Sequence, residues 1–362
     1  MFAYSFVLLS LLILGIYSLR EKYTTQNGVI EYKKNSRLVI IMSFLVLLFI
    51  SSFRGDFTSD YKNYRDLFSY YSNFTIYQVL VNPKLRSQEL AYVLLNILTY
   101  EMGGSYVVFV SVISFLTLLF FYKGFWHDSD NVWLSIVMFV SIGSYYTSFN
   151  ISRQILAVSV TFSGAKYLYD RKLTKYFITI LLASLFHRTA LILIPFYFIL
   201  NMELNWKSVT IVALCTIGIV LALDKILDLV RLYIYSAYRN DYYGMTGFKV
   251  TNIVLPAVVA ILSLLLHKKV SQTDKMDKVW INATVYYVVF SLLGLKVMML
   301  QRFAEYFMPF SILLLTRMFC RLKPKEFRLT FVAIFLIGFS LYNLVTLSSS
   351  GYNPYYFVSA FK

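Results

Sequence analysis

Long apolar runs recur along the whole chain and constrain its fold more than any other feature of the sequence. A helix of about 17 or more nearly uncharged residues crosses the roughly 30 Å hydrocarbon core of a bilayer. Only 14% of the 362 residues are charged and 59% are apolar, whereas a soluble domain carries about 25% charged residues. The sequence therefore predicts an all-α, polytopic integral membrane protein.

The apolar runs predict about twelve crossings in one multi-span transmembrane domain over residues 1–362. The candidate spans are 3–19, 38–53, 105–122, 132–149, 153–169, 174–187, 188–201, 207–223, 250–266, 279–298, 303–318 and 329–346. The segments 174–187 and 188–201 are short for crossings, and they form either two tilted helices or one broken element. The first run lacks a basic segment before it and a small-residue cleavage site, so we expect a retained span.

The distribution of basic residues predicts the orientation. Four short loops are basic, and twelve crossings put all four on one side, which the positive-inside rule makes cytoplasmic. Those loops are 20–37, 170–175, 267–278 and 317–328. The two longest polar stretches, about 54–104 and 224–249, then face outward, and we expect a surface or re-entrant helix near 88–102. The net charge of +16 is explained by these loops, so no nucleic acid is predicted as a partner.

Three arginines stand where helices that run inward are predicted to begin at the outer surface: Arg153, Arg188 and Arg302. A helix N-terminus already presents partial positive charge and unpaired N–H groups. An arginine there favours a bound anion such as a phosphate or diphosphate. Snorkelling to the lipid headgroups or pairing with a carboxylate is the alternative explanation for each arginine.

The outer segment 53–66 interleaves acidic, basic and aromatic residues, a composition that suits a carbohydrate ligand. Its candidate contacts are Arg54, Asp56, Asp60 and Tyr61. The region around Arg239 in the second outer stretch has a similar composition. A solvated loop and an aromatic belt at the membrane interface are the alternatives.

Acid–base candidates are few on the predicted outer face. His187 is a lone histidine, which suits either a general base or a structural hydrogen bond better than a metal, and Asp60 competes with it as the base. Glu305 lies three residues after Arg302, where we expect an i, i+3 ion pair. Cys215 and Cys320 belong to no redox or metal motif. Nucleotide-binding motifs are also absent from the sequence, so no cofactor and no metal are predicted.

Four blocks of residues resemble the EpsG-like family of bacterial exopolysaccharide polymerases, which is related in role to the Wzy polymerases. The blocks are Arg54-Gly55-Asp56 with Asp60-Tyr61, then Asn150-Ile151-Ser152-Arg153-Gln154, then Phe186-His187-Arg188-Thr189-Ala190, and finally Arg302-Phe303 with Tyr306-Phe307. The resemblance covers roughly 50–310. One departure is Thr58-Ser59, which stands where many members have Gly-Thr.

The resemblance implies a metal-independent glycosyltransferase in the cytoplasmic membrane of a bacterium. On the outer face it would join oligosaccharide repeat units carried on undecaprenyl diphosphate. It implies catalytic roles for Arg153 and Arg302 at the diphosphate and for His187 or Asp60 as the base. The implied substrate contacts are Arg54, Asp56, Tyr61, Gln154, Arg188, Arg239 and Glu305.

Partners and alternatives follow from the same reading. The expected partners are the lipid-linked oligosaccharide, the bilayer and other polysaccharide-export components. A flippase or other transporter of lipid-linked sugars is one alternative, although polar residues gather at one face rather than at the midplane, where carriers bind substrate. A membrane acyltransferase that modifies polysaccharide, and a structural subunit of an envelope assembly, are the others.

Overall fold

Helices account for nearly all regular structure in the described part of the chain. The computed structural model describes residues 2–19, 37–203 and 275–349 apart from 296–297 and 323–324. It also describes 25–26, 29–30, 355–358 and isolated positions between 207 and 262. One hairpin of two-residue strands, β1 (Thr25–Gln26) and β2 (Val29–Ile30), is the exception within these residues.

The helices follow one another in chain order with short connections. Those of the first half are α1 (Phe2–Leu19), α2 (Arg37–Ser52), α3 (Ser59–Tyr71), α4 (Ile76–Val81), α5 (Leu90–Glu101), α6 (Tyr106–Asp128), α7 (Val132–Ser141), α8 (Ser144–Thr147), α9 (Ser152–Ser163) and α10 (Lys166–Tyr169). Those that follow are α11 (Leu173–Ser184), α12 (Leu193–Ile199), α13 (Lys275–Leu293), α14 (Met298–Ala304), α15 (Met308–Arg321) and α16 (Lys325–Ser349). Short 3₁₀ turns cover Pro83–Leu85 and Arg188–Ile192.

Two of these helices are long and apolar enough to cross a membrane within the residues that the structure describes: Tyr106–Asp128 and Thr330–Ser348. The expected membrane protein with an all-helical fold is found, but the count of about twelve crossings is not confirmed. Several predicted spans are interrupted. The span 132–149, for example, breaks into α7 and α8 at Gly143, whose φ of 90° lies in the left-handed region that favours glycine.

The stretch 54–104, which is predicted to face outward, is folded rather than irregular, since it contains α3, α4 and α5. The helix expected near 88–102 is present as α5, Leu90–Glu101. Asp60 lies in the first turn of α3 and not in a solvated loop. The buried face of α3 consists of aromatic residues at helical spacing, which are Tyr61, Tyr64, Phe68 and Tyr71.

Contacts divide the chain into two compact units. The first comprises Met1–Tyr167, Lys172–Leu191 and Phe319–Lys362, and the second comprises Leu168–Arg171 and Ile192–Met318. In the first unit, α6 packs against α2 and α9. Aromatic rings fill that core, where the centroids of Phe121 and Phe139 lie 4.6 Å apart.

In the first unit, residues 355–358 run along the segment that follows α2, and we call them the 355–358 strap. The Gly55 N–H donates to the carbonyl of Tyr356 at 2.8 Å, and the Val358 N–H donates to that of Phe53 at 2.9 Å. A Cβ atom at position 55 would lie 2.3 Å from the ring of Tyr356. Only glycine therefore allows this close approach.

In the second unit, two polar contacts join segments that are distant in the sequence. The amide of Asn282 donates to the carbonyl of Leu200 at 2.8 Å. Arg317 forms a 2.7 Å ion pair with Asp277, and both side chains are 6% exposed. Asp277 and Arg317 belong to two of the basic loops that the sequence predicts on one side, 267–278 and 317–328. Which side faces outward stays a prediction.

Candidate functional site

One side chain, Asn150, joins the start of α3 to the turn before α9. Its Oδ1 accepts hydrogen bonds from Ser59 Oγ at 3.0 Å and from the Asp60 N–H at 3.1 Å. The first N–H groups of a helix need acceptors from outside it, and the N-cap residue Thr58 supplies none from its own side chain. Asn150 therefore holds the start of α3 beside the start of α9.

Arg153, in the first turn of α9, lies in a largely enclosed position. Its guanidinium carbon is 5.6 Å from the ring centroid of Tyr64 and 5.2 Å from that of Tyr92. Its NH1 donates to Glu89 Oε2 at 2.8 Å and also to Gln88 Oε1. Its Nε has no hydrogen-bond partner in the described part of the chain. Arg153 thus retains donor capacity although its side chain is only 18% exposed.

Glu89 connects Arg153 to the segment that contains His187. Its Oε1 accepts the backbone N–H of Arg188 at 3.2 Å and lies 3.3 Å from His187 Nδ1. The backbones also meet here, because the Ala91 N–H donates to the Leu185 carbonyl at 2.9 Å. The beginning of α5 is thereby fixed against the end of α11.

These contacts change the acidity of Glu89. Burial by itself raises the pKa of a carboxyl group, but the neighbouring His187, the charge of Arg153 and two backbone N–H groups act in the opposite direction. The net result is a pKa of Glu89 lowered to about 2. Glu89 is therefore a carboxylate at any physiological pH.

The cluster combines groups that bind anions with a group that accepts protons. Arg153 has an unused N–H, and the exposed guanidinium of Arg188 has no carboxylate partner among the described residues. Both suit a phosphate or diphosphate. An imidazole beside a carboxylate suits general base catalysis. No group of three or more His, Cys, Asp or Glu side chains arranged to hold a metal ion occurs within the described residues.

Arg54, a predicted substrate contact, is buried in the first unit. Its side chain donates to the carbonyl of Ser51 and to Ser114 Oγ, the latter at 3.3 Å. Its guanidinium carbon is 5.1 Å from the centroid of the Phe149 ring. With the residue only 3% exposed, a ligand reaches Arg54 only after its surroundings move.

The other predicted contacts of the first unit differ in exposure. Asp56 is exposed and forms a 3.7 Å ion pair with Arg65. Tyr61 is buried, and its ring packs edge-on against Tyr106 at 5.1 Å. Gln154 is buried within α9. Of these residues, Asp56 is the one a ligand could meet without rearrangement.

Three predicted residues lie elsewhere. Arg239 lies outside the described residues. Arg302 and Glu305 belong to the second unit, where Arg302 occupies the last turn of α14. The expectation that Arg302 begins a helix is therefore wrong. Because α14 ends at Ala304, Arg302 and Glu305 are not on one continuous helix, and the expected ion pair is not formed in the described part of the chain.

Sequence reasoning assigned no role in the site to Gln88, nor to Glu89, an acid near the membrane on the predicted outer face. Glu89 immediately precedes an apolar helix at the predicted outer surface. A carboxylate is costly at such a position unless it is paired. That cost indicates that Glu89 has a partner. The partner, Arg153, lies 64 residues further along the chain, and no sequence spacing identifies it.

Comparison with known proteins identifies a family. No curated protein and no solved structure matches the chain significantly. The sequence profile of the EpsG family matches residues 37–357. This match includes the start of α3, Glu89, Arg153 and His187, and it extends to the strap. A match over nearly the whole length is decisive, and the chain belongs to the EpsG family.

Proposed function

We propose that this protein is a polysaccharide polymerase, which joins oligosaccharide repeat units carried on undecaprenyl diphosphate. Membership of the EpsG family supports the coarser statement that it is a membrane protein of polysaccharide biosynthesis. The polymerase activity, the lipid carrier and the outer face of the bacterial cytoplasmic membrane are parts of the proposal.

One observation carries the proposal: Arg153 and His187 share the carboxylate of Glu89. Arg153 contacts one oxygen at 2.8 Å, and His187 Nδ1 lies 3.3 Å from the other. An anion-binding group and a proton acceptor are thus held together, although Arg153 lies in α9 and His187 lies between α11 and the 3₁₀ turn Arg188–Ile192. Transfer of a sugar from a diphosphate requires both functions.

In the proposed reaction, a hydroxyl oxygen of the acceptor unit attacks the anomeric carbon of the growing chain. The new C–O bond forms as the bond from that carbon to the diphosphate oxygen breaks, and the electron pair leaves with the diphosphate. The hydroxyl proton passes to His187. The leaving diphosphate gains negative charge, which Arg153 and Arg188 stabilise.

The remaining predicted residues take supporting roles in this proposal. Asp60 is the alternative base, and Asp56 offers an exposed carboxylate for sugar hydroxyls. Arg302 remains a proposed diphosphate ligand. The other proposed substrate contacts are Arg54, Tyr61, Gln154, Arg239 and Glu305.

The test replaces Arg153 and His187 in cells that depend on this protein for polymer. We expect Arg153→Ala and His187→Ala to abolish long polymer at normal protein level. Arg153→Lys should recover only a fraction, since lysine keeps the charge but not the planar fork. Arg37→Ala is the matched control, because Arg37 is an exposed arginine in the first turn of α2.

Lipid-linked intermediates distinguish the alternatives. Mass spectrometry of extracted lipids should show single complete repeat units accumulating in the outer leaflet when the protein is absent or Arg153 is replaced. Complete units confined to the inner leaflet would instead identify a transporter. Polymer of unchanged length that lacks one substituent would identify an acyltransferase.

A further inference from the structure

We infer that Glu89 is a positioning residue. It orients the imidazole of His187 so that the Nε2 atom of the histidine can take the proton from the hydroxyl group of the acceptor unit. The inference rests on the proposed function, since it assigns a role within that reaction. It concerns a residue that no sequence motif identified. Two observations support it: the division of the carboxylate oxygens and the fixed backbone behind the side chain. The preferred tautomer of His187 follows from the first.

The two oxygens of Glu89 have separate partners. Oε2 accepts the hydrogen bond of Arg153 at 2.8 Å, while Oε1 accepts the Arg188 N–H at 3.2 Å. Oε1 also lies 3.3 Å from His187 Nδ1, a charge contact without hydrogen-bond alignment, and the buried Nδ1 has no other hydrogen-bond partner among the described residues. Arg153 and the Arg188 amide therefore hold the carboxylate plane in place. With a side chain only 10% exposed, Glu89 has little freedom to turn away from the histidine.

This arrangement selects one tautomer of His187. A carboxylate oxygen only accepts hydrogen bonds, so a lone pair on Nδ1 would face a negative charge. The proton of the neutral imidazole is therefore favoured on Nδ1, which leaves the lone pair on Nε2. Once Nε2 has accepted a proton, Glu89 balances the positive charge of the ring. The same carboxylate thus serves the histidine before and after the proton transfer.

The backbone around Glu89 is held independently of its side chain. The Ala91 N–H donates to the Leu185 carbonyl at 2.9 Å, and Glu89 has the extended backbone conformation of a helix N-cap, with φ of −65° and ψ of 144°. Replacing the carboxylate should leave this connection between α5 and α11 intact. The side chain can therefore be tested apart from the scaffold.

The experiment measures polymerisation by the full-length protein in bilayer nanodiscs. The substrate is the lipid-linked repeat unit extracted from cells that lack the protein. We expect Glu89→Gln to lower kcat at least ~10-fold, in line with the loss of an orienting carboxylate beside a general base, with KM within about threefold of the wild type. Glu89→Asp should recover part of kcat because it keeps the charge.

Two further variants complete the design. Glu101→Gln is the control, since Glu101 is an exposed residue at the other end of α5, and kcat should be unchanged. A double-mutant cycle then asks whether Glu89 acts through His187. In a His187→Ala background, Glu89→Gln should lower the residual rate no further, because the orienting group has nothing left to orient.

Each contrary outcome has a distinct meaning. Wild-type kcat in Glu89→Gln, with activity lost in His187→Ala, would overturn the role of Glu89 and leave the proposed function in place. The role of Glu89 would also be overturned if Glu89→Gln and His187→Ala lowered kcat independently, so that their effects multiplied in the double variant. A raised KM with normal kcat in Glu89→Gln would overturn it as well. Full activity in both His187→Ala and Arg153→Ala would instead refute the proposed catalytic groups themselves.

Discussion

The low pKa of Glu89 predicts a specific dependence of stability on pH. The usual pKa of 4.5 falls to about 2 in the folded protein. The folded value lies below the unfolded one, so the stabilisation is complete above about pH 4.5 and is lost as the pH falls toward 2. At about 1.4 kcal/mol for each pKa unit, the full contribution is about 3 kcal/mol.

The experiment compares the stability of the wild type with that of Glu89→Gln at pH 6 and at pH 3. Between these pH values the wild type loses about 2 kcal/mol through Glu89 alone, because the carboxyl group is mostly protonated in the unfolded chain at pH 3 but not in the folded one. Glutamine does not titrate. The stability gap between the two proteins should therefore shrink by about 2 kcal/mol.

The assay is thermal unfolding in detergent, followed by intrinsic fluorescence. For a unit of this size, about 1 kcal/mol moves the Tm by about 2–4 °C, so the gap in Tm should shrink by about 4–8 °C. Glu101→Gln serves as the control and should keep a constant gap to the wild type. A gap between wild type and Glu89→Gln that stays constant from pH 6 to pH 3 would refute the assigned ion pairing of Glu89.

Three other predictions concern packing and sidedness. Gly55→Ala places a Cβ atom 2.3 Å from the Tyr356 ring and should cost about 1–3 kcal/mol, measured by thermal unfolding against Gly338→Ala, where no atom lies within 4 Å of the added Cβ. Asp277→Asn should cost about 3–5 kcal/mol because it removes the negative charge that is paired with the buried Arg317, and Arg317→Met should relieve much of that loss in the double variant. In intact cells, a membrane-impermeant maleimide should label a cysteine that replaces the exposed Asp66 but not one that replaces Glu203. Equal labelling of both would contradict the predicted orientation.

Part of the site could be predicted from the sequence, because a charged or polar residue at the end of an apolar run is expected at the membrane surface. Arg153 and His187 each stand at such an end, so a common face could be predicted before any contact was known. Glu89 shares that position, yet its importance depends on partners brought together by tertiary packing. Side-chain pairing over 64 residues or more leaves no periodic trace in a sequence.

Other differences had usable signals. The spacing of Tyr61, Tyr64, Phe68 and Tyr71 follows one helical face, so α3 was open to prediction, but the polar residues between them resemble a loop. The break after Arg302 also had a signal. Pro309 is the second residue of the helix Met308–Arg321, and proline favours a helix start. The hydrophobicity of the sequence alone does not predict the boundary between the helix that ends at Ala304 and the helix that begins at Met308.

The 355–358 strap has a consequence for biosynthesis. The Tyr356 hydroxyl donates to the carbonyl of Asp56, 300 residues earlier in the chain. At about 5–20 residues per second, the ribosome needs roughly 15–60 s to supply this partner after Asp56 is made. During that interval the segment beside α3 lacks its strap, although α2 and α3 are already synthesised. A nascent chain released before the strap is made would thus contain Arg153, Glu89 and His187 but would lack the hydrogen bonds between the strap and residues 53–56.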